Sequence, residues 1–112
     1  MKRVLCTSIA IGLSLCGASS LAKVRDGDQL LKQCTATIGA HVNFCFGYID
    51  AIVDLLVENN GIDGFNACIS TELDDPELRN IVLKFLKDNP DLRSLGAPNL
   101  IARALAAAFP CR

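Results

Sequence analysis

The chain has 112 residues, of which 51% are hydrophobic and 5% aromatic, with six cysteines and no tryptophan. A chain of this length forms at most one domain and is too short for a barrel or a doubly wound enzyme fold. Eleven basic and twelve acidic residues give a formal net charge of −1, so the composition provides no basic surface for nucleic acid. Six cysteines are many for a cytosolic protein of this size and favour an oxidising compartment.

Residues 1–22 have the pattern of a secretory signal peptide. Lys2 and Arg3 precede an apolar stretch over residues 4–15, and small residues follow as far as Ala22. This order of positive, apolar and small residues is typical of a cleaved export signal. The apolar stretch is shorter than the roughly 20 residues that span a bilayer as a helix. We therefore expect cleavage after Ala22 and no membrane attachment afterwards.

The predicted mature domain covers residues 23–112 and carries nine basic and twelve acidic side chains. Lipidation at Cys16 is the weaker alternative, because Leu15 stands where lipoprotein processing requires a small residue. Cleavage leaves an even number of cysteines, namely Cys34, Cys45, Cys68 and Cys111.

Four helical patterns fill this domain and predict an all-α fold, a bundle of about four helices. The first helix starts near Asp26 or Asp28, either of which can accept hydrogen bonds from the free amides of the first turn. Leu30, Leu31 and Cys34 form its apolar edge. A turn is expected over residues 35–40.

The second predicted helix, over about residues 42–58, is the most apolar. Its polar positions form one narrow stripe: Asn43, Gly47, Asp50, Asp54 and Glu58. A helix with so wide an apolar surface is either central in the bundle or buried in a subunit contact. Asp50 and Asp54 argue against a membrane span, because carboxylates in lipid are costly. We interpret this pair as part of a solvated stripe rather than as an acid–base pair.

Residues 59–66 contain Asn60-Gly61 and Asp63-Gly64, which end the second helix and predict an exposed loop. The third helix is expected to start at Asp74 or Asp75, with Pro76 in its first turn. Its apolar series is Leu78, Ile81, Val82, Phe85 and Leu86. The fourth helix begins near Ala97-Pro98 and presents Leu100, Ile101, Ala104, Leu105 and Ala108 on one face.

The four remaining cysteines are interpreted as two disulfides that support a thin core. Four cysteines permit three pairings, and the sequence alone does not choose among them. An antiparallel arrangement of the first two helices would bring Cys34 close to Cys45. Cys68 and Cys111 would then join the segment after the loop to the C-terminus.

His41 and Cys45 lie four residues apart and could form a thiolate–imidazole pair or supply two metal ligands. The chain has one histidine, and Cys45 already has a structural role in the disulfide hypothesis. We therefore predict no catalytic residue, no metal site and no cofactor. A small thiol enzyme remains as an alternative, which the absence of a free thiol in the mature protein would exclude.

A set of motifs occurs in order along the mature chain: Leu30-Leu31-x-x-Cys34, Cys45-Phe46-Gly47-Tyr48-Ile49, Cys68 after the glycine loop, Phe85-Leu86-x-x-x-Pro90, and Ala104-Leu105 with Phe109-Pro110-Cys111. This ordered set resembles the Rap/Tai family of resistance-associated and type VI secretion amidase immunity proteins. The resemblance covers essentially the whole mature chain.

The resemblance implies a small helical periplasmic inhibitor, expected to be a homodimer, that occludes the active site of a cognate peptidoglycan amidase. A dimer contact through Phe46, Ile49, Val53 and Leu56 is one hypothesis, and packing of the same residues in the core is the other. For the contact with the amidase we favour the loop and the acidic start of the third helix, namely Asn59, Asn60, Gly61, Ile62, Asp63, Gly64, Phe65, Asn66, Glu72, Asp74 and Asp75. A periplasmic stress chaperone is the main alternative function.

Overall fold

The computed structural model describes residues 23–69 and 72–112. The predicted signal peptide at residues 1–22, with the alternative lipidation site Cys16, lies outside the described residues. Within them the elements in chain order are α1 (Gly27–Thr35), α2 (Ala40–Glu58), α3 (Asp75–Asp88), a 3-10 helix (Pro90–Leu92) and α4 (Ala97–Ala108). The described part of the chain contains no strand, only isolated bridges. The prediction of an all-α fold with four helices is confirmed.

Two aspartates fix where α1 and α3 begin. Asp26 precedes α1, and its side chain accepts a hydrogen bond from the Gln29 amide at 2.9 Å, while the Gln29 side chain accepts one from the Asp26 amide at 3.0 Å. Asp74 and Glu77 repeat this capping box at the start of α3. Each box satisfies amide groups that have no partner inside the helix. The caps are therefore Asp26 and Asp74, whereas Asp28 and Asp75 lie in the first turns.

The core forms where one edge of each helix meets the others. Its fully buried members include Leu30 of α1, Leu86 of α3 and Leu100 of α4. Helix α2 contributes one line of residues at spacings of three and four, namely Val42, Cys45, Ile49, Ile52 and Leu56. This line is the only face of α2 that the core buries in the described structure.

The hypothesis that Ile49 and Leu56 form a dimer contact is wrong. Ile49 is 1% exposed and Leu56 is fully buried, because both side chains point into the domain's own core. Phe46 and Val53 are half-buried on the flank of that core. The sequence pattern did not separate these faces, since α2 carries apolar residues on both sides of its buried line.

By length and composition alone, α2 is also apolar enough to cross a membrane, and it is the one such helix found among the described residues. Yet only 28% of an 18-residue stretch of this helix is buried in the domain. Much of its apolar surface therefore has no partner within the described chain.

Both predicted disulfides are present. Cys34 is bonded to Cys45 with a Cα–Cα distance of 5.1 Å, and Cys68 to Cys111 with a distance of 5.0 Å. The first closes a span of 11 residues and the second a span of 43. In the chain-entropy model these closures stabilise the fold by about 3 and about 4 kcal/mol. They are a large part of the stability that so small a domain can reach.

Gly27 at the start of α1 packs against Leu100 of α4 and against the backbone that precedes α4. Its amide donates to the carbonyl oxygens of Arg93 at 2.9 Å and Leu95 at 3.1 Å. A Cβ atom at this position would lie 2.6 Å from Leu100 Cδ1 and 2.9 Å from the Arg93 backbone. The backbone contact leaves no room for a side chain.

We predict opposite effects for two glycine-to-alanine substitutions. Gly27→Ala forces the Arg93 backbone away and should lower the free energy of unfolding by about 1–3 kcal/mol. Gly47→Ala, on the exposed side of α2 with no atom within 4 Å of the added Cβ, should raise it by about 0.5–1 kcal/mol through helix propensity. Urea denaturation followed by circular dichroism measures both, and a stable Gly27→Ala protein would contradict the described packing.

Candidate functional site

The loop at residues 59–66 begins with a tight cap on the end of α2. Asn60 adopts a left-handed backbone with φ of 61°. The Gly61 amide donates to the Leu56 carbonyl at 2.9 Å, and the Asn60 amide donates to the Val57 carbonyl at 3.3 Å. This pair of bonds is a Schellman motif, which satisfies the last carbonyls of a helix and turns the chain sharply away.

The tip of the loop is a hairpin turn. Ile62 and Phe65 exchange two backbone hydrogen bonds of 2.9 Å each. Between them Asp63 has φ of 52° and Gly64 has φ of 85°, the pair of positive angles that an Asp-Gly sequence favours in a type I′ turn. The predicted loop is therefore a defined turn with an exposed tip.

Two side chains of α4 hold this tip. Asn99 Nδ2 donates to Asp63 Oδ2 at 3.0 Å, and Arg103 Nε donates to Asn99 Oδ1 at 2.8 Å. The Arg103 guanidinium also lies over the Phe65 ring, 4.7 Å from its centre, a cation–π contact. The loop is thus tied at its tip as well as at its base. Asn99 and Arg103 were not predicted from the sequence, because their only local signal is a polar pair four residues apart on an otherwise apolar helix.

A shallow cavity of about 360 Å³ lies beside the loop. Val57, which is 65% exposed, forms part of its wall. The other lining residues are Asn60, Asn66, Ala67, Cys68 and Ile69. The loop therefore borders a surface that combines amide groups with exposed apolar side chains.

The acidic residues at the start of α3 divide into different roles. Asp74 caps the helix, as described above, and remains exposed. Glu72 is exposed before the helix, while Asp75 is half-buried. Asp75 approaches Asp50 of α2 rather than the loop. No hydrogen bond or ion pair joins the loop to the acidic start of α3 within residues 23–69 and 72–112.

The two sides of α2 differ in charge. Partial burial raises the pKa of the Asp50 carboxyl above its ordinary value, and the neighbouring carboxylates of Asp75 and Asp54 raise it further. Near the beginning of α2, the Arg25 guanidinium lies 4.4 Å from the centre of the Phe44 ring and 5.8 Å from that of the Tyr48 ring. Positive charge therefore lies beside these two aromatic residues, whereas negative charge surrounds Asp50.

His41 and Cys45 do not form the thiolate–imidazole pair that their spacing allows. Cys45 is bonded to Cys34 and is fully buried, whereas His41 is exposed. All four cysteines of the described chain are in disulfides. The same part of the chain holds no group of three or more His, Cys, Asp or Glu side chains that could hold a metal ion.

The raised pKa of Asp50 predicts a pH-dependent effect of this residue on the free energy of unfolding. At pH values between the ordinary pKa of an aspartate and the raised pKa of Asp50 in the folded protein, the folded protein binds more protons than the unfolded chain. This carboxyl therefore makes the free energy of unfolding fall as pH rises. Asp50→Asn should increase the free energy of unfolding at neutral pH by less than about 1 kcal/mol, the scale of exposed charge pairs. The increase should vanish at about pH 3, where the carboxyl is protonated in both states. A loss of stability at neutral pH would contradict the repulsion among these carboxylates.

Comparison with known proteins identifies a family for the chain. A family model described as Rap1a immunity proteins matches residues 26–111, from the cap of α1 to the last cysteine of the second disulfide. No curated protein and no solved structure matches the chain. Since the family match spans well over half of its length, the chain belongs to the Rap1a immunity protein family.

Proposed function

We propose that the protein is exported, loses residues 1–22, and binds a cognate type VI peptidoglycan amidase in the periplasm, where it occludes the active-site cleft. Membership of an immunity protein family implies that the chain binds a cognate effector, and such families are generally not catalytic. The two disulfides fit an oxidising compartment. The resemblance to the Rap/Tai family supports an amidase as the effector.

The observation that carries this proposal is the fixed conformation of the loop at residues 59–66. Its base is closed by the Gly61–Leu56 hydrogen bond and its tip by the Asp63–Asn99 hydrogen bond. A segment that is ordered before binding loses little conformational entropy when it enters a cleft. An exposed loop on a rigid scaffold is also the usual place for recognition.

The loop with its cavity, and separately the start of α3, offer a partner apolar area and negative charge. Val57 and the cavity beside it provide apolar area. Asp63 on the loop tip and Asp74 at the start of α3 are exposed carboxylates. We propose that they face basic groups at the rim of the amidase cleft, because complementary charge accelerates docking and fixes orientation.

A matched pair of valine substitutions tests the contact surface. Val57→Asp places a charge beside the loop and should weaken binding to the amidase by at least about tenfold, the scale of a central interface residue. Val24→Asp is the control, since Val24 is 63% exposed and Val57 is 65% exposed. Binding is measured by calorimetry with an amidase encoded next to this chain's gene. Protection is measured by the survival of cells that produce this amidase in the periplasm.

Circular dichroism establishes that both variants remain folded. Full binding and protection by Val57→Asp would contradict the proposed surface. Failure of the unmodified protein to bind or protect against any such amidase would contradict the proposed function itself.

We further propose that the functional form is a homodimer in which two copies of α2 pack together. The exposed line of α2, here named the outer seam, has spacings of three and four and consists of His41, Phe44, Tyr48, Ala51, Leu55 and Glu58. Such spacing is that of a helix packed along another helix. Phe44 is 37% exposed and Leu55 is 45% exposed, so a second copy would remove apolar surface from water.

The charges along the outer seam favour an antiparallel arrangement. Arg25 lies over Phe44 near the beginning of α2, and Glu58 ends the helix. A two-fold axis near the middle of the seam would oppose Phe44 to the second copy's Leu55. That register also brings Arg25 and His41 towards the second copy's Glu58. A two-fold contact of this kind is self-complementary and closed.

Light scattering after size-exclusion chromatography tests the dimer. Leu55→Asp should give a monomer, while Val57→Asp, which lies off the outer seam, should remain a dimer. Arg25→Glu and Glu58→Arg should each weaken the dimer, and the double variant should restore it. A dimer that is unaffected by Leu55→Asp would contradict this arrangement. A double variant whose dimer dissociates more readily than that of either single variant would contradict it as well.

A further inference from the structure

The two disulfides lie in opposite environments. Cys34 and Cys45 are both fully buried and belong to the hydrophobic core. Cys68 and Cys111 are both exposed, and Cys68 also lines the cavity beside the loop. The difference is between a bond enclosed by side chains and a bond at the protein surface.

This difference determines which bond a thiol can reach. Exchange requires a thiolate to approach a disulfide sulfur directly. A charged thiolate loses its hydration when it enters an apolar core, which is strongly unfavourable. We infer that Cys68–Cys111 is a site of thiol–disulfide exchange with a dithiol reductant in the folded protein, whereas Cys34–Cys45 is closed to it.

The dithiol reductant supplies the electrons and protons for the exchange at this site. One thiolate of the dithiol attacks a sulfur of Cys68–Cys111, forms a mixed disulfide and expels the other cysteine as a thiolate, which takes up a proton. The second thiol of the reductant, as its thiolate, then attacks the mixed disulfide and releases the remaining cysteine. Two electrons and two protons pass to Cys68 and Cys111, and the dithiol becomes a disulfide.

The structural effect of this reduction is local. The bond joins residues 66–69 to the segment after α4, where the Cys68 amide also donates to the Phe109 carbonyl at 2.8 Å. Ala67 is buried, and Ile69 and Phe109 pack against the core. Reduction removes the covalent link and its contribution to stability, while these contacts remain and Cys34–Cys45 still joins α1 to α2. The helices therefore persist, while the wall of the cavity beside the loop gains freedom.

The test uses the oxidised mature protein without denaturant and does not depend on any effector. The protein is exposed to dithiothreitol, quenched with iodoacetamide at intervals and mapped by mass spectrometry. Cys68 and Cys111 should be alkylated at least about tenfold faster than Cys34 and Cys45. The helical circular dichroism signal should be unchanged while the first two thiols appear. Equal rates, or a helical signal that falls with the first thiols, would overturn the inference.

Two controls test whether burial causes the difference in reduction rate between the two disulfides. In concentrated guanidinium, where burial is lost, the two pairs should open at rates within about threefold of each other. A difference that persists in denaturant would overturn the argument from burial. In the Cys68→Ser/Cys111→Ser double variant the rapid phase should disappear, and a rapid phase that remained would show that the other disulfide is reached as well.

Discussion

The structure depends on the contact between one line of α2 and the rest of the bundle. Cys45, Ile49 and Leu56 are buried in that contact, and the Cys34–Cys45 bond joins the same line to α1. The three further helices of 9, 14 and 12 residues cover only one side of this helix of 19 residues. Apolar residues on the uncovered side of α2, including Phe44 and Leu55, therefore remain on the surface. In an apolar helix, such a surface is the expected place for a further protein contact.

The two ends of α2 have different neighbouring groups. At the beginning, Arg25 covers Phe44 and Tyr48, which places positive charge beside aromatic rings. At the other end the helix passes into the loop at residues 59–66, whose tip is tied to α4 through Asn99. The proposed homodimer contact and the proposed amidase contact therefore use separate surfaces of the same helix and its continuation. Separate surfaces allow both contacts to exist in one complex.

Features encoded by short segments were predicted well from the sequence. Local hydrogen-bonding rules limited the two caps to Asp26 or Asp28 and to Asp74 or Asp75. The pairing of Cys34 with Cys45 was the one expected if the first two helices are antiparallel. The tie between Asp63 and Asn99 joins residues 36 positions apart, and no local pattern indicates it. The buried face of α2 was also not predictable, since Ile49 and Leu55 are equally apolar and only packing distinguishes them. Effector binding by the loop and the acidic start of α3 stays a prediction.

The proposal that the end of α2 and its loop form the inhibitory surface is tested most directly by hydrogen exchange of the protein alone and in complex with its amidase. Mass spectrometry of peptides resolves the loop from the beginning of α2. The account predicts slower exchange in the complex for residues 57–69 and unchanged exchange for residues 36–41. Slower exchange confined to residues 36–41, with the loop unaffected by the amidase, would contradict it.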